Sequence, residues 1–419
     1  MARPAPIRLA GMIAATATFA LAATETTAQE TPLCDPQTGS TCSSTQTQSG
    51  DVTGSVNLNV TVDQLEVTNS ATGNSLAGGI EDSSGSLTAR QTMTGATRAD
   101  TTLVLNGESD GVIGSTTLAR GDYLGVSTDG ATFALDAAQV ATGDDVTART
   151  VVQSPTGHML AGGFAGTAAV ANSVALGGPS SSITGAVDQS AQTTVLAETV
   201  ADVQYIPAPA DFSSQAVANA VQASTTGASH QDLTVRQTNA ASTIEARTDV
   251  YVDNAWNLAA RAKAGANQTV LSNAGGSLVA ATDQTNQGRV RAVSRARTNL
   301  QGQTTVSARA VANEVIAGNQ DIYLELDNTQ LNTGGVEATA TYTGVSGYDA
   351  YVGAEAVGNS VTGSACSQCG GEVNITNNQT NNAAVTATTN ATIGSGRAAV
   401  IGTTAVGNSA TFYVSRPGG

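Results

Sequence analysis

Aromatic side chains make up only 3% of this 419-residue chain, and charged ones only 12%. A thick globular core needs large apolar groups to fill it, so this scarcity argues against an ordinary enzyme domain. Lysine is confined to Lys263, and the formal net charge is −16. That balance argues against nucleic acid and anionic lipid as main partners. The two histidines, His158 and His230, have no nearby Ser or Cys motif. No calcium loop of the D-x-D-x-D-G kind occurs, and no repeated G-G-x-G-x-D. Gly177-Gly178 and Gly275-Gly276 sit in Ser/Asn-rich turns, not between a strand and a helix as a phosphate loop requires. No enzyme activity, metal or cofactor is therefore expected. Disorder is disfavoured, because 40% of residues are apolar, many are β-branched, and charge is low.

What is present begins with a secretory signal at 1–28. Arg3 and Arg8 give it a positive start, and Leu9 to Ala23 is apolar but too short to span a bilayer. Cleavage after Ala22 and cleavage after Ala28 both fit. Cys34 and Cys42 follow in a linker at 29–55, and Cys366 and Cys369 lie near the other end. Two close pairs in an exported chain suggest two local disulfides that staple turns. A zinc site would need a second C-x-x-C or histidines, and a redox motif a βαβ context; neither is present.

The hexapeptide AVANSV at 169–174 recurs as AVANAV, AVANEV, AVGNSV and AVGNSA. Its polar centre falls at Asn74, Asp122, Asn172, Asn219, Asn267, Asn313, Asn359 and Asn408, spaced 48, 50, 47, 48, 46, 46 and 49 residues apart. A second phrase, often Q-T-N, is centred on Gln91, Gln139, Gln189, Gln237, Gln284, Gln330 and Gln379. From Asn or Asp to the next Gln is 17 residues in five repeats, 18 in the fourth and 20 in the seventh. Two phrases keeping one offset through successive units mark a repeat array. The longer seventh interval holds Cys366-Ser367-Gln368-Cys369-Gly370-Gly371, as a stapled turn at the edge of the array would.

Period-2 alternation, as in Val56-Asn57-Leu58-Asn59-Val60-Thr61-Val62, predicts strands. Only the Ala-rich stretch Asp253 to Ala264 offers a competing short helix. The predicted fold is an all-β repeat solenoid, β-helix-like, of about 48 residues per repeat. It runs from 56 to 404 with about seven repeats, and a truncated eighth at 405–419 serves as a cap. A fully extended repeat spans roughly 160 Å, which favours two coils per repeat and a rod of about 65 to 70 Å. Stacking would turn the repeated Asn and Gln side chains into amide ladders, with Ala and Val filling a thin core.

Arg289, Arg291, Arg295 and Arg297 share one parity and so one strand face. Asp321, Tyr323, Glu325 and Asp327 form an acidic counterpart. Such stripes usually keep a sheet solvated and resist edge-to-edge association. The functional alternative for the arginines is a groove for anionic polysaccharide.

These Gln and Asn phrases loosely resemble curlin-type repeats, at about twice the curlin period. In whole-chain character, from the signal segment through the Ala/Val/Asn repeats to the closing AVGNSATFYV, the sequence is similar to the holdfast anchoring family HfaD of stalked alphaproteobacteria. That resemblance implies a non-enzymatic surface protein, associated with the outer membrane. It implies the partners HfaA and HfaB and attachment of a polysaccharide holdfast. A self-assembling, curli-like matrix subunit is the alternative.

Overall fold

The computed structural model describes residues 40–240, 243–321, 323–366 and 372–415. They form an all-β solenoid whose strands run parallel in two sheets, one of eight strands and one of thirteen. Helix is absent among the described residues. The Ala-rich stretch that offered a short helix lies inside the strand Thr243–Asn273. Its Ala260, Ala262 and Ala264 point into the core, where stacking on the adjacent coils outweighs Ala's helical preference.

One coil consists of a short strand and a long one. Ser182–Ala191 supplies the eight-stranded sheet, and Thr194–Thr226 belongs to the other. The next coil repeats this with His230–Asn239 and Thr243–Asn273. The long strand doubles back at a corner between Ile206 and Pro209, where its register with the following coil shifts. Proline lacks the N–H that a continuous ladder needs, so it suits that break. In earlier coils the long strand is interrupted, as in Asp145–Met159 followed by Gly163–Pro179.

The doubled-back chain makes two thin cores. The first half of the long strand packs on the stretch after the corner, through residues such as Val195, Val203, Phe212 and Ala216. The end of the long strand packs on the short strand, through Val221, Ala223, Leu233 and Val235. The coil is thus flattened into two layers with an interior one side chain deep. Ala and Val fill a gap of that depth, which accounts for the composition.

The expectation of two coils per repeat does not hold. Hydrogen-bonded neighbours lie a whole repeat apart: Asn172 pairs with Asn219, and Gln189 with Gln237. A long perimeter needs no second coil when the loop widens instead of thickening. Eight rungs at about 4.8 Å give a stack of roughly 35 Å, half the expected length. The array also starts earlier than expected. Ser40–Gln48, inside the expected linker, and Val52–Val60, which begins in it, already pair with the next coil. At the other end Ala398–Ser415 stacks on Val336–Cys366, with Asn408 beside Asn359. The signal segment lies outside the described residues.

Candidate functional site

The two repeated phrases meet at the waist between the two cores. Asn172 donates to Asn219 Oδ1 at 2.8 Å, and the chain continues through Asn267, Asn313, Asn359 and Asn408 at 2.7–2.8 Å. On the facing layer Gln91 donates to Gln46. Gln139, Gln189, Gln237, Gln284, Gln330 and Gln379 each donate to the glutamine one coil earlier, at 2.7–2.8 Å. The asparagine column thus donates toward the C-terminal end and the glutamine column toward the N-terminal end.

The second amide proton of each residue clasps the layers together. Asn219 donates to the Thr238 carbonyl at 3.0 Å, and Gln237 to the Gln268 carbonyl at 3.0 Å. The acceptor is in each case the residue following the other phrase's centre, as also in Asn172 to Ser190 and Gln189 to Ala220. This reciprocal reach is the physical reason for the near-constant offset. Buried amides demand such partners, since an unmet donor costs about 1–3 kcal/mol.

The phrase around each asparagine also forms a corner. Ala216, Val217, Ala218 and Asn219 are all buried in succession. Inward-facing residues change parity there, and Ala218 drops out of the ladder between Val217 and Asn219. Only Ala or Gly occupies that position. A Cβ on Gly121 would sit 2.5 Å from the Ala171 carbonyl oxygen, so backbones of successive coils approach closely at this point.

The column has one acid, Asp122. It accepts from Asn74 at 2.7 Å, and its other oxygen, Oδ2, has no partner. Asn172 is its neighbour in register, and the Oδ1 of Asn172 is also unpartnered. Two acceptors therefore meet where the other rungs place a donor and an acceptor. Burial pushes the Asp122 carboxyl up to about 7, offset in part by the Asn74 hydrogen bond. A proton on Oδ2 supplies the missing donor.

Several ordered groups were not foreseen from the sequence. The asparagine closing each Q-T-N phrase forms its own column, Asn239 to Asn286 to Asn332 to Asn381, at 2.6–2.8 Å. A hydroxyl chain, Thr199–Thr167–Thr150–Thr117–Thr101, threads the first core with links of 2.7–2.8 Å. Glu314 is buried against Arg309 at 2.6 Å. Burial raises its carboxyl, but Arg309 and then Lys263 outweigh that and the net shift is downward.

The arginine stripe lies on the outer face of Arg289–Asn319 and is paired with acids of adjacent coils. Arg289 meets Glu337. Arg291 lies 3.3 Å from Glu245 and 3.6 Å from Glu337, and Arg295 and Arg297 lie 3.9 and 3.8 Å from Asp249. Four arginines thus share three carboxylates, and Asp249 also meets Arg247, so most but not all of the stripe's charge is offset. Tyr323, Glu325 and Asp327 belong to the other sheet and do not face it. Cys42 is disulfide-bonded, and its expected partner Cys34 lies outside the described residues. Cys366 is a free thiol held in register with Ser415, and its expected partner Cys369 lies outside the described residues.

The two histidines lie on separate coils with different neighbours. His158 binds Glu108 and packs edge-on to Tyr205, and His230 contacts Ser277 from the neighbouring coil. Among the described residues no three His, Cys, Asp or Glu side chains are grouped to hold a metal. No helix of the described residues is long and apolar enough to cross a membrane. These residues define a single-coil parallel solenoid clasped by buried amide columns. The chain belongs to the family of holdfast attachment protein D, whose model matches residues 61–335. No curated protein and no solved structure matches it. The family points to a structural role in attachment at the cell surface.

Proposed function

We propose that this protein anchors an adhesive polysaccharide holdfast to the cell envelope, as an exported, outer-membrane-associated component working with HfaA and HfaB. Membership of the holdfast attachment family carries the reading. The fold suits it: a stack held by every rung's backbone hydrogen bonds is a stiff spacer, and its outer faces are free for partners. The test is a strain lacking the gene. It should shed its adhesive into the medium while the shed material still sticks to glass. Adhesive that stays on the cell removes the anchoring role.

A second reading, self-assembly into a curli-like matrix fibre, is favoured by the last rung. There Val400, Ile401, Tyr413 and Val414 are exposed on Ala398–Ser415, and an uncovered strand edge is a template for another chain. Concentration-dependent fibre growth by the purified chain would support it. A stable monomer across the same concentrations would exclude it.

A further inference from the structure

The chain's one tryptophan is not used in a core. Trp256 is 54% exposed at the corner of its coil. Its ring lies over Gly302 of the next coil, where a Cβ would come within 2.9 Å of the indole. Glycine there lets the indole reach across a whole coil to Tyr348, itself 51% exposed, at 5.8 Å between centroids and 70° between planes. Arg397 continues the column, 5.8 Å from the Tyr348 ring. In a chain so poor in aromatics, an edge-to-face pair left half exposed to solvent marks a surface set apart from the rest.

An open groove with room for about 380 Å³ runs beside this ridge. Asn257 and Gln303, the residues directly after Trp256 and Gly302, line it, with Thr305 and the Asp211–Arg261 ion pair beyond. Neither amide has a side-chain partner among the described residues. The one charged pair neutralises itself, so the groove carries no net charge to select an ion. We infer that this ridge and groove form a binding site for a neutral, hydroxyl-rich glycan chain. Pyranose rings present an apolar C–H face, which the aromatic ridge takes. Their hydroxyls donate and accept at once, which is what free side-chain amides match. An apolar helix would instead require a continuous apolar groove, and here the aromatic pair is flanked by amides.

The inference rests on the attachment reading only for its biological setting. Trp256 is also its own reporter. The purified chain is titrated with cellohexaose, maltohexaose and chitohexaose, followed by tryptophan fluorescence and calorimetry. At least one should bind and shift the emission. Trp256→Ala and Gln303→Ala should each weaken that binding, the former about tenfold or more, as expected for a central aromatic anchor. Arg295→Ala should leave it unchanged. Circular dichroism checks that each variant folds, and a variant that misfolds is replaced by Trp256→Phe, expected to retain partial binding. Absence of binding by the unaltered chain overturns the inference, as does full binding by Trp256→Ala. A deletion strain that keeps its adhesive would sink the attachment reading while leaving this titration intact. A deletion strain that sheds it, with Trp256→Ala cells holding on normally, would sink the groove alone.

Discussion

Asp122 shows how far a single residue departs from its column while keeping the fold. Every other centre in that column is an asparagine, and asparagine carries both the donor and the acceptor that a rung needs. A carboxylate carries acceptors only. The ordinary aspartate value is 3.8, and burial raises that of Asp122 to about 7. The folded chain therefore holds a proton that the unfolded chain has released between those values. The contribution of Asp122 to stability is therefore full below about pH 4, falls as pH rises toward 7, and levels off above it. The loss is roughly 4 kcal/mol from about three units of displacement. Asp122→Asn should be more stable than the unaltered chain at pH 8 and nearly equal at pH 4, the difference opening between those values. Urea midpoints taken across that range decide the matter, and parallel curves for the two proteins would refute a protonated rung.

At the scale of the element, the corner in the A-x-(G/A)-N phrase sets the shape of the coil. Ala218 is inward, out of the ladder and close to the neighbouring backbones. Ala218→Val should lower stability by about 1–3 kcal/mol through overpacking, read as a lower urea midpoint with unchanged slope. An unchanged midpoint would mean that the corner has slack. This corner was half legible in the sequence. A polar residue at a fixed period among Ala and Val stands out because burial of an amide is costly without a partner, so the columns could be read. The side-chain parity switch at Ala218–Asn219 left no separate mark, since four small or amide residues in a row fit either face. The Q-T-N phrase holds two columns under one period: its asparagine travels with the glutamine, so the spacing alone does not separate them. The hydroxyl chain was invisible, because threonine is everywhere in this sequence and only the doubling-back of the long strand selects which ones meet. Trp256 is silent in the sequence for a similar reason. A single aromatic has no period, and its reach over Gly302 exists only once coils are stacked.

For the whole molecule, the coil count was the part that a linear period could not resolve. Two phrases of similar wording suggested two similar coils, whereas they are opposite walls of one coil that clasp each other. Removing 267–312 joins Ala266 to Asn313, which is the register partner of Asn267, and so excises one complete coil. That shortened chain should fold with the same β spectrum and a cooperative transition. Removing only 267–289 should not fold, although a two-coil repeat would tolerate it. Because the described chain enters at one end of the stack, at Ser40, and reaches the other at Ser415, tension applied along it does not load every rung together. It peels the outermost coil first, and each coil that lets go pays out roughly 160 Å of slack. A stack loaded in this way lengthens in steps instead of failing at once.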